Sequence, residues 1–236
     1  MENSMKLTFQ STAAGMMLIA AATSVSATIK LADSGTPGVV IIQQADAAAS
    51  EQHAIGELVF HLNQITGGKF AIQTNATDAP PNAIIVGPGA LAAKLFSEID
   101  LAKLAPEEFV IRTKGNRLLL AGGRPRGTIY AVNRFLQDQC GVRWWTPWAT
   151  NIPQRATLQI PDLEVRGQPP FEYREPFWFQ GFDPLWKVRN GANGENRRIS
   201  TAWGDCIRYK GFAHTFYPLV PPEKHFKDHP EWYSLI

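Results

Sequence analysis

The chain has 236 residues, 44% of them hydrophobic and 19% charged. That balance suits a folded globular protein and is too apolar for a disordered one. A formal net charge of +2 supplies no basic field for nucleic acid or for an acidic membrane surface.

The first residues have the layout of an export signal. Lys6 precedes an apolar run over residues 13–22, and Val25-Ser26-Ala27 is a small-residue cleavage site. The run is too short to span a bilayer, which needs about 20 apolar residues. The expectation is a mature protein beginning near Thr28, secreted or periplasmic.

Residues 28–165 read as one α+β domain. Val39-Val40-Ile41-Ile42 is a buried strand. Asp46 is the expected cap of a helix on which Ile55, Leu58, Val59, Leu62 and Ile65 share one face. Gly67-Gly68 ends it. Phe70-Ala71-Ile72 and Ala83-Ile84-Ile85-Val86 are further strands, the second leading into a short helix over 91–96. Phe109 to Arg112 and Leu118 to Ala121 flank Lys114-Gly115-Asn116, the signal for a tight hairpin. A helix follows over 127–140, carrying Ile129, Val132, Leu136 and Cys140 on one side. A strand over 142–146 holds Trp144 and Trp145. Hairpins mixed with crossover helices indicate helices packed on a mixed sheet.

Three features of this domain invite stronger readings. Gly122-Gly123-Arg124-Pro125-Arg126-Gly127 opens a helix after a strand, where phosphate loops occur. It lacks the Lys-Ser/Thr of a P-loop and the GxGxxG spacing, so a tight turn is favoured over a nucleotide site. His53 and His61 are eight apart on one helix, too far to share a metal. Arg124 and Arg126 sit against the helix dipole and either hold an anion or pair with acidic neighbours, the second being favoured. Cys140 and Cys206 are the two cysteines, read as independent thiols rather than as a disulfide scaffold.

Pro161, Pro169 and Pro170 mark a linker. All seven Trp lie in the second half of the chain, between Trp144 and Trp232. Each is either core or a platform on which a sugar ring stacks. Phe171-Glu172-Tyr173-Arg174-Glu175 reads as a strand, and Lys187 to Asn190 as the start of a short helix. A strand opening into an aromatic and polar loop before a helix is how a (β/α) barrel begins. Such a barrel takes about 250 residues, whereas about seventy remain after Arg166. Glycoside hydrolysis uses two carboxylates across a cleft. No pair is nominated by the spacing of Glu172, Glu175, Asp183, Glu195, Asp205, Glu223, Asp228 and Glu231. No catalytic residue is therefore assigned.

The chain stops on His225-Phe226-Lys227-Asp228-His229-Pro230-Glu231-Trp232-Tyr233-Ser234-Leu235-Ile236; its end on Leu235-Ile236, in the middle of an apolar phrase, reads as an interruption inside a second domain. His225 and His229 have an i, i+4 spacing, with His214 upstream. Pro230 biases His229 away from the helical region, and Phe226 stands where HExxH has its Glu. A substrate-contacting loop or plain packing is favoured over a metal site. No cofactor is expected.

Several segments resemble a known domain. Ile65-Thr66-Gly67-Gly68, the stretch from Gly122 to Val132, and Gly141-Val142-Arg143-Trp144-Trp145-Thr146-Pro147 are similar to the domain preceding the barrel in α-glucuronidases. That domain is like the second domain of β-hexosaminidases. His214-Thr215-Phe216 through Pro221-Pro222 to the HPEWYSL tail resembles more narrowly the secreted bacterial proteins of domain of unknown function 4838. The resemblance implies an α+β domain with a mixed sheet (β-hexosaminidase domain 2-like) over 28–165, then the incomplete start of a (β/α) barrel over 166–236. It implies an exported glycoside-hydrolase-type protein acting on polysaccharide, uronic-acid-bearing chains among the candidates. This piece would be inactive alone, its partner being the C-terminal barrel of the same polypeptide. A non-catalytic carbohydrate-binding or scaffold protein is the alternative, and a phosphate-binding domain ranks last. Arg174 and Arg189 suit a carboxylate-bearing substrate, since guanidinium binds carboxylate bidentately. Asn190, His214, Glu231 and Trp232 complete the expected carbohydrate contacts. No nucleic acid and no membrane span are expected.

Overall fold

The computed structural model describes residues 28–74, 76–211 and 214–234. The expected export signal lies outside the described residues, as do Leu235 and Ile236 of the terminal phrase.

In chain order the strands are β1 (Thr28–Asp33), β2 (Thr36–Pro37), β3 (Val40–Gln43), β4 (Ile72–Thr74), β5 (Ala83–Val86), β6 (Phe109–Lys114), β7 (Arg117–Gly122), β8 (Arg143–Thr146), β9 (Ala149–Asn151), β10 (Leu158–Pro161) and β11 (Glu164–Gly167). The helices are α1 (Ala49–Thr66), α2 (Ala90–Leu95), α3 (Gly127–Asp138), α4 (Pro184–Arg189), α5 (Phe216–Leu219) and α6 (Pro222–His225). Six strands form one mixed sheet in the order β11-β6-β7-β5-β3-β4. The β7-β5-β3-β4 part is parallel, and β6 and β11 are antiparallel additions. This is the expected α+β class.

The central strands are apolar without a break because both faces are covered. Ile41, Ile84, Leu118 and Leu120 face α1 and α3. Their strand neighbours Ile42, Ile85, Leu119 and Ala121 face α2, Phe96 and Leu101. Each of these eight strand residues has 0% exposure, so polar substitution on either face would bury an unpaired group.

The two long helices are bounded by local chemistry. Gly67, at φ 75°, ends α1 in the left-handed conformation that glycine adopts without strain. At its start the expected cap, Asp46, is replaced. Ala48 is the N-cap residue, and the Glu51 carboxylate accepts the Ala48 N–H at 2.9 Å. Asp46 instead meets Arg124.

The glycines at 122–127 are explained by steric need. A Cβ on Gly123 would lie 1.9 Å from the Ala105 carbonyl oxygen, and one on Gly127 would lie 2.2 Å from that of Glu108. The run lets the β7–α3 connection press against the chain before β6.

After Gly167 the expectation of a strand over Phe171 to Glu175 is corrected, since the described residues there and beyond form no strand. The expected barrel start is not confirmed by them. Two prolines and the exposed Phe171 open this stretch, and the backbone of Arg174 is held by a side chain: its N–H donates to Asn193 Oδ1 at 2.8 Å. The expected boundary after Val165 falls inside β11. Further along, Val188 (4% exposed) and Ile199 (1%) join the core cluster of α1 and α3.

Candidate functional site

Two regions hold the residues singled out from the sequence. The first is where the chain after Gly167 meets the α+β layer. Glu107 lies at its centre. Its Oε1 accepts from Arg126 Nε (2.7 Å), Asn193 Nδ2 (2.8 Å), Arg174 Nη2 (2.9 Å) and the Tyr130 hydroxyl (3.0 Å). Its Oε2 accepts from Arg174 Nη1 at 2.9 Å. Burial alone raises the Glu107 pKa, but the hydrogen bonds from Arg174, Asn193 and Arg126 outweigh it and hold the carboxyl below its ordinary value. Burial, and then the Glu107 charge, push the Tyr130 phenol well up, so it serves as a neutral donor.

Arg174 completes this clasp, donating also to the Gly191 carbonyl at 2.7 Å and to the Tyr130 hydroxyl at 2.8 Å. Arg189 forms a bidentate pair with Glu57 on α1 at 2.8 and 3.0 Å. The guanidiniums expected to seize a substrate carboxylate therefore already bind carboxylates of the protein. Asn190 is exposed, with Nδ2 donating to the carbonyls of Trp186 (3.0 Å) and Trp144 (3.3 Å). Lys187, with 0% exposure, is held by Glu175 at 3.0 Å and by the Gly194 carbonyl at 2.7 Å.

The histidines of α1 belong to the same interface. His61 Nδ1 lies 2.7 Å from the Glu57 carbonyl oxygen, and Trp144 Nε1 donates to His61 Nε2 at 3.2 Å. Because the indole N–H only donates, this geometry selects a neutral imidazole protonated at Nδ1. Burial pushes the His61 pKa down, and does the same for His53. Arg124 pairs with Glu51 at 2.7 Å and Asp46 at 3.2 Å; Arg126 pairs with Glu107. Both arginines at the start of α3 are thus structural partners of acidic residues.

The second region is the stretch 214–234. Prolines 218, 221, 222 and 230 cut it into single turns: α5, α6 and a 3-10 turn over Pro230–Trp232. The Tyr233 hydroxyl donates to the Val220 carbonyl at 3.2 Å, closing the loop on itself. Phe226 meets Tyr233 edge to face at 5.3 Å. The result is a cleft of about 710 Å³ lined chiefly by Phe216, Tyr217, Phe226, Trp232 and Tyr233. Tyr217 is 74% and Phe216 68% exposed. His229 stacks on Trp232 with ring centroids 3.9 Å apart and planes within 1°. Its Nδ1 lies 3.1 Å from Glu231 Oε1. So Glu231 and Trp232, expected as carbohydrate contacts, are brought together with His229, while His214 is exposed at the edge of the stretch. None of the described residues lining the cleft is Asp or Glu. Sequence reasoning missed Glu107 and Glu57, which lie far from their partners along the chain.

Among the described residues, no group of three or more His, Cys, Asp and Glu converges as metal ligands. No helix among them is long and apolar enough to cross a membrane.

The architecture is an α+β fold with helices packed on a mixed sheet. It is similar to part of a solved family GH115 4-O-methyl-alpha-glucuronidase with specificity for decorated arabinogalactans, with a TM-score of 0.55 and 19% identity over 70% of this chain and 25% of that one. A GH20 exo-beta-N-acetylglucosaminidase from Vibrio harveyi matches with a TM-score of 0.38 and 14% identity, over 63% of this chain and 18% of that one. The chain thus spans about a quarter of the length of the first of these enzymes. Residues 144–236 match the family model described as domain of unknown function (DUF4838). No curated protein matches the chain.

Proposed function

We propose that this chain is the N-terminal part of an exported, glycoside-hydrolase-type protein acting on polysaccharide. The observation that carries this reading is the cleft of residues 216–234. Exposed aromatic rings line a concave surface with His229 and Glu231 beside it, the composition of a saccharide platform. The fold shared with part of a family GH115 enzyme is in keeping with it. Residues 1–27 are the export signal in this reading, and His214, Glu231 and Trp232 touch the sugar.

The described residues of the cleft wall include no carboxylate, while glycoside hydrolysis calls for two facing the scissile bond. The residues described here therefore bind polysaccharide without cleaving it, and the acid/base pair comes from a barrel-type domain of the same polypeptide. The test is an activity screen of the product of the complete reading frame on aryl glycosides and glucuronoxylan, with retention on insoluble polysaccharide measured in parallel. Hydrolysis supports the reading. Retention without hydrolysis of any substrate favours the second reading, a non-catalytic carbohydrate-binding protein, which the carboxylate-free wall also supports. Absence of both removes the carbohydrate reading.

A further inference from the structure

A second concave surface lies on the other side of the clasp, between α3, the end of β11 and the turn after α4. It encloses about 440 Å³. Three arginines line it: Arg134 from α3, Arg166 from β11 and Arg189 from α4. Four amides, Asn133, Gln137, Gln168 and Asn190, stand among them. Phe109 and Tyr130 supply ring surface. Among the described residues, no Asp or Glu lines this groove, whereas the neighbouring depression along β6 and β11 includes Glu98, Asp100 and Glu164.

Each arginine has an acidic partner, yet none of those partners belongs to the groove wall. Arg134 meets Asp138 through Nε at 2.7 Å, and Arg166 meets Glu108 through Nε at 2.6 Å. The Nη groups of Arg166 have no hydrogen-bond acceptor among the described residues. Arg134 and Arg166 are 56% and 59% exposed in their side chains, so both reach solvent at the groove. A guanidinium bound through Nε keeps donors for a second anion, and its fork matches a carboxylate. Amides supply paired donors and acceptors for hydroxyls, and a ring face suits the apolar side of a pyranose.

We propose that this groove binds an anionic saccharide unit, its acidic group held by Arg134 and Arg166 and its hydroxyls by the amides. The sugar part of this assignment rests on the carbohydrate reading above; the charge preference rests on the arginines. Arg189, fixed by Glu57, sets the wall, and Asn190 faces the hydroxyls. The acidic group is a uronic carboxylate or a sulfate ester, which the guanidinium fork accepts alike.

Calorimetric titration of the full chain tests this with four probes: an oligogalacturonate, the same oligomer after carboxyl reduction, a sulfated oligosaccharide, and a neutral xylo-oligosaccharide. The oligogalacturonate or the sulfated probe is expected to bind about tenfold or more tightly than the reduced and neutral probes, an advantage typical of charge-assisted hydrogen bonds. Whichever acidic probe binds more tightly identifies the acidic group. Arg134→Ala and Arg166→Ala, both at exposed positions, should each erase most of that advantage without moving the thermal midpoint. Arg134→Glu should abolish it. Equal binding of acidic and neutral probes, or an advantage that survives both alanine variants, overturns the groove. If neutral saccharide still binds and Trp232→Ala removes that binding, the groove fails while the cleft reading stands. A protein that binds none of the probes overturns both.

Discussion

Replacing Arg174 with Ala tests whether the chain after Gly167 is clasped to the α+β layer by Glu107. The side chain links Glu107 to Tyr130 and to the Gly191 carbonyl, and is 17% exposed. Its removal does not orphan Glu107, which keeps Arg126, Tyr130 and Asn193. The cost should therefore fall below the 3–5 kcal/mol of a buried pair broken outright. With charge-assisted hydrogen bonds worth about 1.5–3 kcal/mol, we expect about 2–3 kcal/mol. Glu107→Ala leaves two guanidiniums facing one another without their carboxylate, and should cost about 4–5 kcal/mol. Urea unfolding followed by Trp fluorescence reads both. With a slope of about 2–3 kcal/mol per molar, the midpoint should fall by about 1 M for Arg174→Ala and by nearly twice that for Glu107→Ala. Hydrogen exchange should also quicken at the Asn193 amide, which donates to the Arg174 carbonyl at 3.0 Å. A loss under about 0.5 kcal/mol for either variant, the range of surface pairs, would refute the clasp. So would Arg174→Ala costing more than Glu107→Ala.

Stability should decline as pH falls from 7 to 5. His53 and His61 have folded pKa values below their unfolded ones, so their contribution is complete above the unfolded value near 6.5 and is lost as protons bind the unfolded chain. Thermal midpoints across that range measure it, and His61→Phe should flatten the slope while lowering stability at pH 7; an unchanged slope contradicts the assignment to His61. Glu107, with its pKa depressed, adds a second loss that begins near pH 4 and continues through its folded pKa. Gly123→Ala should prevent folding or cost several kcal/mol, because its Cβ would lie 1.9 Å from the Ala105 oxygen; soluble variant with native circular dichroism and an unshifted midpoint would count against the close-approach argument. The Cys140 thiol is buried and its pKa is pushed up to about 12, so Ellman's reagent should leave it unmodified until the chain is unfolded; rapid labelling in the native state would show that the α3 end opens. Trp232→Ala should reduce retention on insoluble polysaccharide with no change in midpoint, and full retention would move the sugar platform away from the cleft.

Much of the fold was legible because its signals are local. The spacing of Ile55, Leu58, Leu62 and Ile65 marks α1, and Lys114-Gly115-Asn116 marks the β6–β7 turn, where Gly115 has φ 57°. Unbroken apolar runs at 41–42 and 84–85 announce strands covered on both faces. The pairing of β1 with β10 carries no comparable signal, since its partners are more than a hundred residues apart. Phe171 to Glu175 misled for the same reason. Its alternation of ring and charge suggests a strand, but a strand needs a neighbour, and Arg174 is bound instead by the side chains of Asn193 and Glu107.

Site chemistry divides along the same line. The sequence alone determined that aromatic residues, His229 and Glu231 would crowd into one loop, because they are contiguous and prolines force the turns that gather them. It also identified Arg124 and Arg126 as candidates for acidic partners, because their charge opposes the dipole of the helix they precede. Only the tertiary structure decided what Arg174 and Arg189 do. Their carboxylates come from 67 and 132 positions away, and a guanidinium's function depends on which anion reaches it first. The arginine groove is likewise a product of packing: α3, β11 and α4 bring Arg134, Arg166 and Arg189 to one wall and leave their acidic partners outside it.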